Sequence, residues 1–153
     1  MTPQYQTTFD PSPKDLAPID HGLHAFNVAH LGQDVIDDYT RVAILARDED
    51  GTIVGGVHGE LVWGWLYIKT LWVNPNYRHQ GIGTRLLRLA EAAALSHGVS
   101  KSHLETTDFQ ALDFYLKNGY EIFGKLADKP AGSTWYYIKK TFSHPGQDET
   151  SNG

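Results

Sequence analysis

The stretch Leu71–Gly98, LWVNPNYRHQGIGTRLLRLAEAAALSHG, decides the fold. It reads as a strand end, a glycine-containing turn and a long amphipathic helix. Leu71, Trp72 and Val73 close an apolar run that begins at Trp63, and Asn74-Pro75-Asn76 stops it. Beyond the turn, Ile82, Leu86, Leu89, Ala90, Ala93 and Ala94 recur at helical spacing, with Arg85, Arg88 and Ser96 on the other side. Gly98 suits a left-handed helix stop.

Chemistry is expected at the junction, Arg78-His79-Gln80-Gly81-Ile82-Gly83-Thr84. A helix's first turn carries unpaired main-chain N–H groups and the positive end of its dipole, which favours phosphate. Gly81 and Gly83 lack a Cβ, so a diphosphate can approach the backbone; Arg78 adds charge and Thr84 a hydroxyl donor. The segment lacks both the Gly-Lys-Ser/Thr ending of a P-loop and the G-x-G-x-x-G dinucleotide spacing.

The totals bound what this junction serves. With 153 residues the chain has the size of one domain, and no apolar run has membrane-spanning length. Its start, MTPQYQTTFDPSP, has no basic region followed by an apolar one. No cysteine is present, which excludes disulfides and thiol catalysis and fits a cytoplasmic protein. A net charge of −5 without clustered Lys/Arg argues against nucleic acid and is compatible with a cationic amine substrate.

Around the junction, Tyr5–Phe9 is expected as a short edge strand and Leu16–Leu31 as a helix with Ile19, Leu23, Phe26 and His30 near one face. His21 and His24 have a metal-like spacing but no third ligand nearby, so no metal is expected. Arg41–Ala46 and Thr52–Val57 read as strands joined by Asp48-Glu49-Asp50-Gly51, a hairpin signal. Glu60–Trp63 extends the second strand, and Gly64 turns it into Trp65–Val73. Trp63, Trp65, Tyr67 and Trp72 are accounted for by strand propensity and by core or dimer packing, which makes a homodimer plausible. Lys101–Thr106 is the strand after the main helix and Phe109–Asn118 a second helix, with Thr107-x-x-Gln110 as a capping box and Gly119 as its stop. Tyr120–Leu126 and Thr134–Thr141 complete the strands, and residues 143–153 form a tail without an apolar anchor.

Two segments carry a family resemblance. Val73-Asn74-Pro75 leading into Arg78-x-x-Gly81-x-Gly83 resembles motif A of the GCN5-related N-acetyltransferases (GNAT), [RQ]-x-x-G-x-[GA]. Asp108–Tyr120, DFQALDFYLKNGY, is similar to that family's later helix with its Tyr-x-x-x-Gly-aromatic ending. The resemblance implies an α/β (α+β) GNAT domain over residues 1–142. Its sheet would be mixed, mostly antiparallel, six- to seven-stranded, splayed at the cofactor site and flanked by helices. Acetyl-CoA would then lie with its pyrophosphate on Arg78, His79, Gln80, Gly81, Ile82, Gly83 and Thr84 and its pantetheine arm along Leu71, Trp72 and Val73. Asp108 stands where the family often has a pantetheine-contacting asparagine, and Gln110 is its substitute.

The implied activity is acetyl transfer to an amine. Tyr115 occupies the position of the family's thiolate-protonating tyrosine. Many members carry a carboxylate base in the strand before motif A, but Lys69 stands there. Glu105 is the replacement, since His103-Leu104-Glu105-Thr106 is similar to the base-bearing strand of ribosomal-protein N-terminal acetyltransferases. Glu60, His58 and water alone are its rivals. Phe26, Asn27 and Glu60 are expected to border the acceptor. The segment LETTDFQALDFYLKNGYEIFGKL resembles a bacterial small-molecule subgroup, which points to a small-molecule amine. A protein or peptide amine, or a non-catalytic acyl-CoA-binding module, are the alternatives.

Overall fold

The computed structural model describes residues 1–2 and 4–144. The chain divides into two compact units, Met1–Asp38 and Tyr39–Gly153. The first unit holds helix α1 (Pro13–Leu31) and a short helix α2 (Gln33–Asp37). Pro13 starts α1, where its missing N–H costs nothing. Gly32, at φ 89°, breaks the chain between the two helices. Residues Tyr5–Phe9 form no strand, because no ladder partner takes up their main-chain groups. Of the tail expected over 143–153, residues 145–153 lie outside the described part.

The second unit is a six-stranded sheet in the order β1-β2-β3-β4-β6-β5. Its strands are β1 (Tyr39–Arg47), β2 (Ile53–Val62), β3 (Trp65–Val73), β4 (Lys101–Thr107), β5 (Glu121–Ala127) and β6 (Thr134–Thr141). All neighbours are antiparallel except β3 and β4, which helix α3 (Ile82–Ser96) connects. The β1–β2 turn is organised by Asp48, whose Oδ1 accepts from the N–H groups of Asp50 (3.0 Å) and Thr52 (2.9 Å). The β2–β3 turn is the two-residue pair Trp63-Gly64, both at positive φ (50° and 81°), the tight geometry that matches strand twist. Trp63 therefore belongs to the turn and not to the strand.

Helix α3 covers one sheet face. Leu86, Leu87, Ala90 and Ala94 are buried in a core with Val42, Val57, Leu61, Leu66, Ile68, Leu104 and Ile138. Leu89, expected on this stripe, is exposed, and Leu87 takes its place. Glu91 is also buried, a polar position on the inner face that hydrophobic periodicity does not reveal. Lys140 of β6 satisfies it, with Nζ 3.0 Å from Oε2. The helix ends as Gly98 suggested: Gly98 N–H donates to the Leu95 carbonyl and Val99 N–H to that of Ala94, closing both orphan carbonyls.

The second helix is shorter than its sequence suggests. Helix α4 spans Leu112–Lys117, and its N-cap is Ala111, without a side-chain cap. The expected Thr107–Gln110 capping box does not form; Thr107 ends β4, and its Oγ1 is enclosed without a partner among the described residues. Removing an unpaired buried hydroxyl relieves its desolvation cost, so Thr107→Val is expected to stabilise the protein by about 1 kcal/mol. A thermal melt checks this; an unchanged or lower midpoint contradicts it.

Candidate active site

Two adjacent features of the second unit build the site: a slot in the sheet and a bare turn at its end. Strands β3 and β4 pair only at Leu66↔Ser102 and Tyr67↔His103. Beyond that rung β3 runs on to Val73 paired only to β2, and β4 runs on to Thr107 paired only to β6. The facing edges of residues 68–73 and 104–107 therefore offer unspent main-chain donors and acceptors to anything lying between them.

At the end of β3, Asn74 and a 3-10 turn (Pro75–Tyr77) lead to the start of α3. Asn74 Oδ1 accepts from Asn76 N–H at 2.9 Å, and Asn74 N–H donates to the Val54 carbonyl at 2.8 Å. Tyr77 Oη donates to Asp48 Oδ2 at 3.3 Å, tying this turn to the β1–β2 hairpin. Arg78 folds back, its Nε donating to the Val73 carbonyl at 3.2 Å. His79 and Gly81 then take positive φ (63° and 78°), and the first helical bond is Arg85 N–H to the Gly81 carbonyl. Among the described residues, none of the main-chain N–H groups of His79, Gln80, Gly81, Ile82, Gly83 and Thr84 donates to a protein acceptor. A run of bare N–H groups at a helix N-terminus is an anion cradle.

The two glycines have different jobs. A Cβ on Gly81 would meet nothing within 4 Å, but the position has left-handed φ. A Cβ on Gly83 would lie 3.3 Å from the Phe114 ring and 3.7 Å from Val73 Cγ2. Its small size lets α4 and β3 close over the first turn of α3.

On the face opposite α3, the last β3–β4 rung carries a polar and aromatic cluster. Tyr67 Oη donates to Glu105 Oε2 at 2.8 Å. That bond, then burial, pushes the Tyr67 phenol up to about 12. The His103 ring stacks on Tyr67, centroids 4.8 Å apart and planes 12° from parallel, and meets Trp65 edge-on at 5.6 Å. Burial lowers the His103 pKa, opposed by the charge of Glu105. Lys101 Nζ caps Trp65 at 4.7 Å from the ring centroid. Beside this cluster Glu60 and Lys69 form an ion pair at 2.7 Å, which raises the Lys69 pKa. Glu60 thus carries a counter-ion, and Glu105 has none among the described residues. Tyr67 was read from the sequence as packing; its tie to Glu105 depends on strand register, which composition does not give.

Lys69 owes its place to a bulge. Gly59 pairs with Ile68 and His58 with Thr70, so Lys69 is the extra residue on β3. The remaining candidates are placed as follows. Tyr115 of α4 is buried at 5% exposure, edge-on to Phe114 (5.1 Å) and Tyr120 (5.7 Å), and burial pushes its phenol up to about 12. Its hydroxyl has no hydrogen-bond partner among the described residues, yet it is not among the fully enclosed unpaired atoms. Asp108 ties β4 to β6: its Oδ2 accepts from Thr134 N–H at 3.1 Å, and its N–H donates to the Thr134 carbonyl at 3.2 Å. It neither caps α4 nor keeps that oxygen free. Gln110 Oε1 lies 3.5 Å from Thr106 Oγ1. Phe26 and Asn27 belong to α1 of the first unit, where Phe26 lies parallel to His30 at 6.4 Å.

Comparison with known proteins fits this geometry. The model of the acetyltransferase (GNAT) family matches residues 12–120. This chain belongs to the GNAT acetyltransferase family. Among its GNAT relatives is the blasticidin-S acetyltransferase of Streptomyces morookaense, 39% identical over 99 residues, covering 64% of this chain and 73% of that protein. Acetyltransferase Atu2258 of Agrobacterium fabrum is 32% identical over 120 residues, covering 78% and 85%. An acetyltransferase from Bacillus cereus superposes with a TM-score of 0.83 at 29% identity, over 90% of this chain and 98% of that one. The protein is an acetyltransferase of GNAT type, and the six-stranded sheet is its GNAT core.

Proposed function

We propose that this GNAT enzyme transfers the acetyl group of acetyl-CoA to a primary amine of a small molecule. The observation that carries the reading is the cradle: consecutive main-chain N–H groups from His79 to Thr84 without an acceptor among the described residues, at the end of a slot with bare strand edges. A diphosphate matches the first in charge, and the amide-rich pantetheine arm matches the second in hydrogen bonding. Arg78 stands at the rim of the cradle, and the Thr84 hydroxyl adds a donor.

The roles of the side chains follow from which side of the slot they occupy. Glu105 lies on the face away from α3 and Tyr115 on the α3 side. As the amine nitrogen bonds to the thioester carbon and the C–S bond breaks, Glu105 takes a proton from the nitrogen. Tyr115 gives one to the departing sulfur. Its raised pKa keeps it a proton donor at all working pH values. Main-chain N–H groups on the bare edge of β3 near Val73 polarise the thioester carbonyl. Glu60, neutralised by Lys69, is better suited to lining the acceptor side than to proton transfer. The name of the blasticidin-S acetyltransferase supports a small-molecule acceptor.

Calorimetric titration with acetyl-CoA, followed by thiol release across a panel of small amines, tests the reading. Binding and amine-dependent release are expected; no binding overturns it. Gly81→Val is the sharper probe, because it places a branched side chain at left-handed φ in the open space above the cradle. Acetyl-CoA affinity is expected to fall at least about tenfold. Unchanged affinity would place the diphosphate elsewhere.

A further inference from the structure

We infer that Tyr67 is a positioning residue that holds the Glu105 carboxylate ready to accept the acceptor's proton. The inference deepens the proposed reaction and rests on Glu105 as its base. Four observations converge on Tyr67. It stands on the last paired rung of β3 and β4, opposite His103, where the slot opens. Its hydroxyl donates to Oε2 of Glu105 at 2.8 Å, two residues further along β4. Its ring is fixed from one side by the stacked His103, which Trp65 and Lys101 back in turn. With Oε2 engaged, Oε1 has no hydrogen-bond partner among the described residues.

A carboxylate on a strand can rotate about its side-chain bonds, and a base that rotates spends only part of its time aimed at the substrate. One hydrogen bond from a rigid phenol removes that freedom and leaves the second oxygen to work. Other ionisable groups near Glu105 are His103 on β4, Tyr137 and Lys139 on β6 (opposite Glu105 and His103), and Glu60 paired with Lys69 on β2 and β3. None of these is hydrogen-bonded to Glu105, so Tyr67 is the group whose removal isolates the effect.

The test is Tyr67→Phe, which keeps the ring on His103 and deletes only the hydroxyl. The kcat is expected to fall about tenfold, the value of one hydrogen bond to a charged group. Acetyl-CoA affinity is expected to hold, so the loss falls on kcat and not on cofactor binding. In a Glu105→Gln background, Tyr67→Phe should cost almost nothing more. His103→Ala, which frees the ring but keeps the hydroxyl, should give a smaller loss of the same kind. If Glu105→Gln lowers kcat but Tyr67→Phe does not, the positioning role is wrong and the base assignment stands. If Glu105→Gln itself leaves kcat unchanged, both are wrong.

Discussion

Tyr115→Phe is expected to lower turnover about a hundredfold, within the range for loss of a positioned proton donor, with acetyl-CoA affinity unchanged. The substitution removes one oxygen from a ring that is otherwise packed: 5% exposed, edge-on to Phe114 and Tyr120, in a core with Leu86 and Ala90. No hydrogen bond within the described chain is lost, so stability near neutral pH should hold. Any fall in rate then reports chemistry. The defect should be largest for acetyl donors with poor leaving thiols and shrink for those whose thiolate needs no proton. A variant with wild-type turnover would make Tyr115 a core residue only. The ring also predicts a stability signature. Its folded pKa, pushed up to about 12 by burial, exceeds the ordinary value of 10.0. Stability from this group is therefore complete below pH 10 and declines as pH rises toward 12, because the unfolded phenol ionises first. Tyr115→Phe should unfold less readily in that window, and denaturant titrations at pH 8 and pH 11 measure the difference.

The main supports of this site were readable in the chain because they depend on local rules. Asn74-Pro75 ends a strand wherever it falls, Gly98 ends a helix by its φ, and a glycine-bearing helix start leaves N–H groups bare. Glu105 and Tyr115 were reached through the resemblance, and the geometry gives each a different surrounding. What sequence patterns missed depends on partners distant in the chain. Leu87 and Glu91 replace Leu89 on the inner face of α3, and Glu91 is tolerated only because Lys140 arrives from β6. Thr107 looked like a cap but is held in β4 by pairing with Trp135. Tyr67 and Glu105, 38 residues apart, meet through the short parallel β3–β4 pairing, which no spacing rule encodes. A Cβ on Gly83 would crowd Phe114 and Val73, a packing constraint that its motif does not encode.

Gly59→Ala is expected to be the most damaging single-methyl change in the sheet. A Cβ there would lie 2.0 Å from the Tyr67 carbonyl oxygen and 3.0 Å from Ile68 Cα, both main-chain atoms that cannot rotate away. The crowding arises at the bulge, where β3 carries Lys69 as an extra residue and presses against β2. Relief requires β3 to move, and Tyr67 and Lys69 must move with it. The expected cost is about 3 kcal/mol, the upper end for an overpacked interior, together with loss of most activity. Gly124→Ala is the control, because its Cβ would meet only Tyr137 side-chain atoms at 3.6 and 3.8 Å, ordinary contact. If the bulge serves the site as well as the sheet, adding Thr107→Val to Gly59→Ala should recover about a third of the lost stability without recovering turnover. Recovery of both together would mean that the bulge matters for stability alone, and that the placement of Tyr67 tolerates a shift of β3.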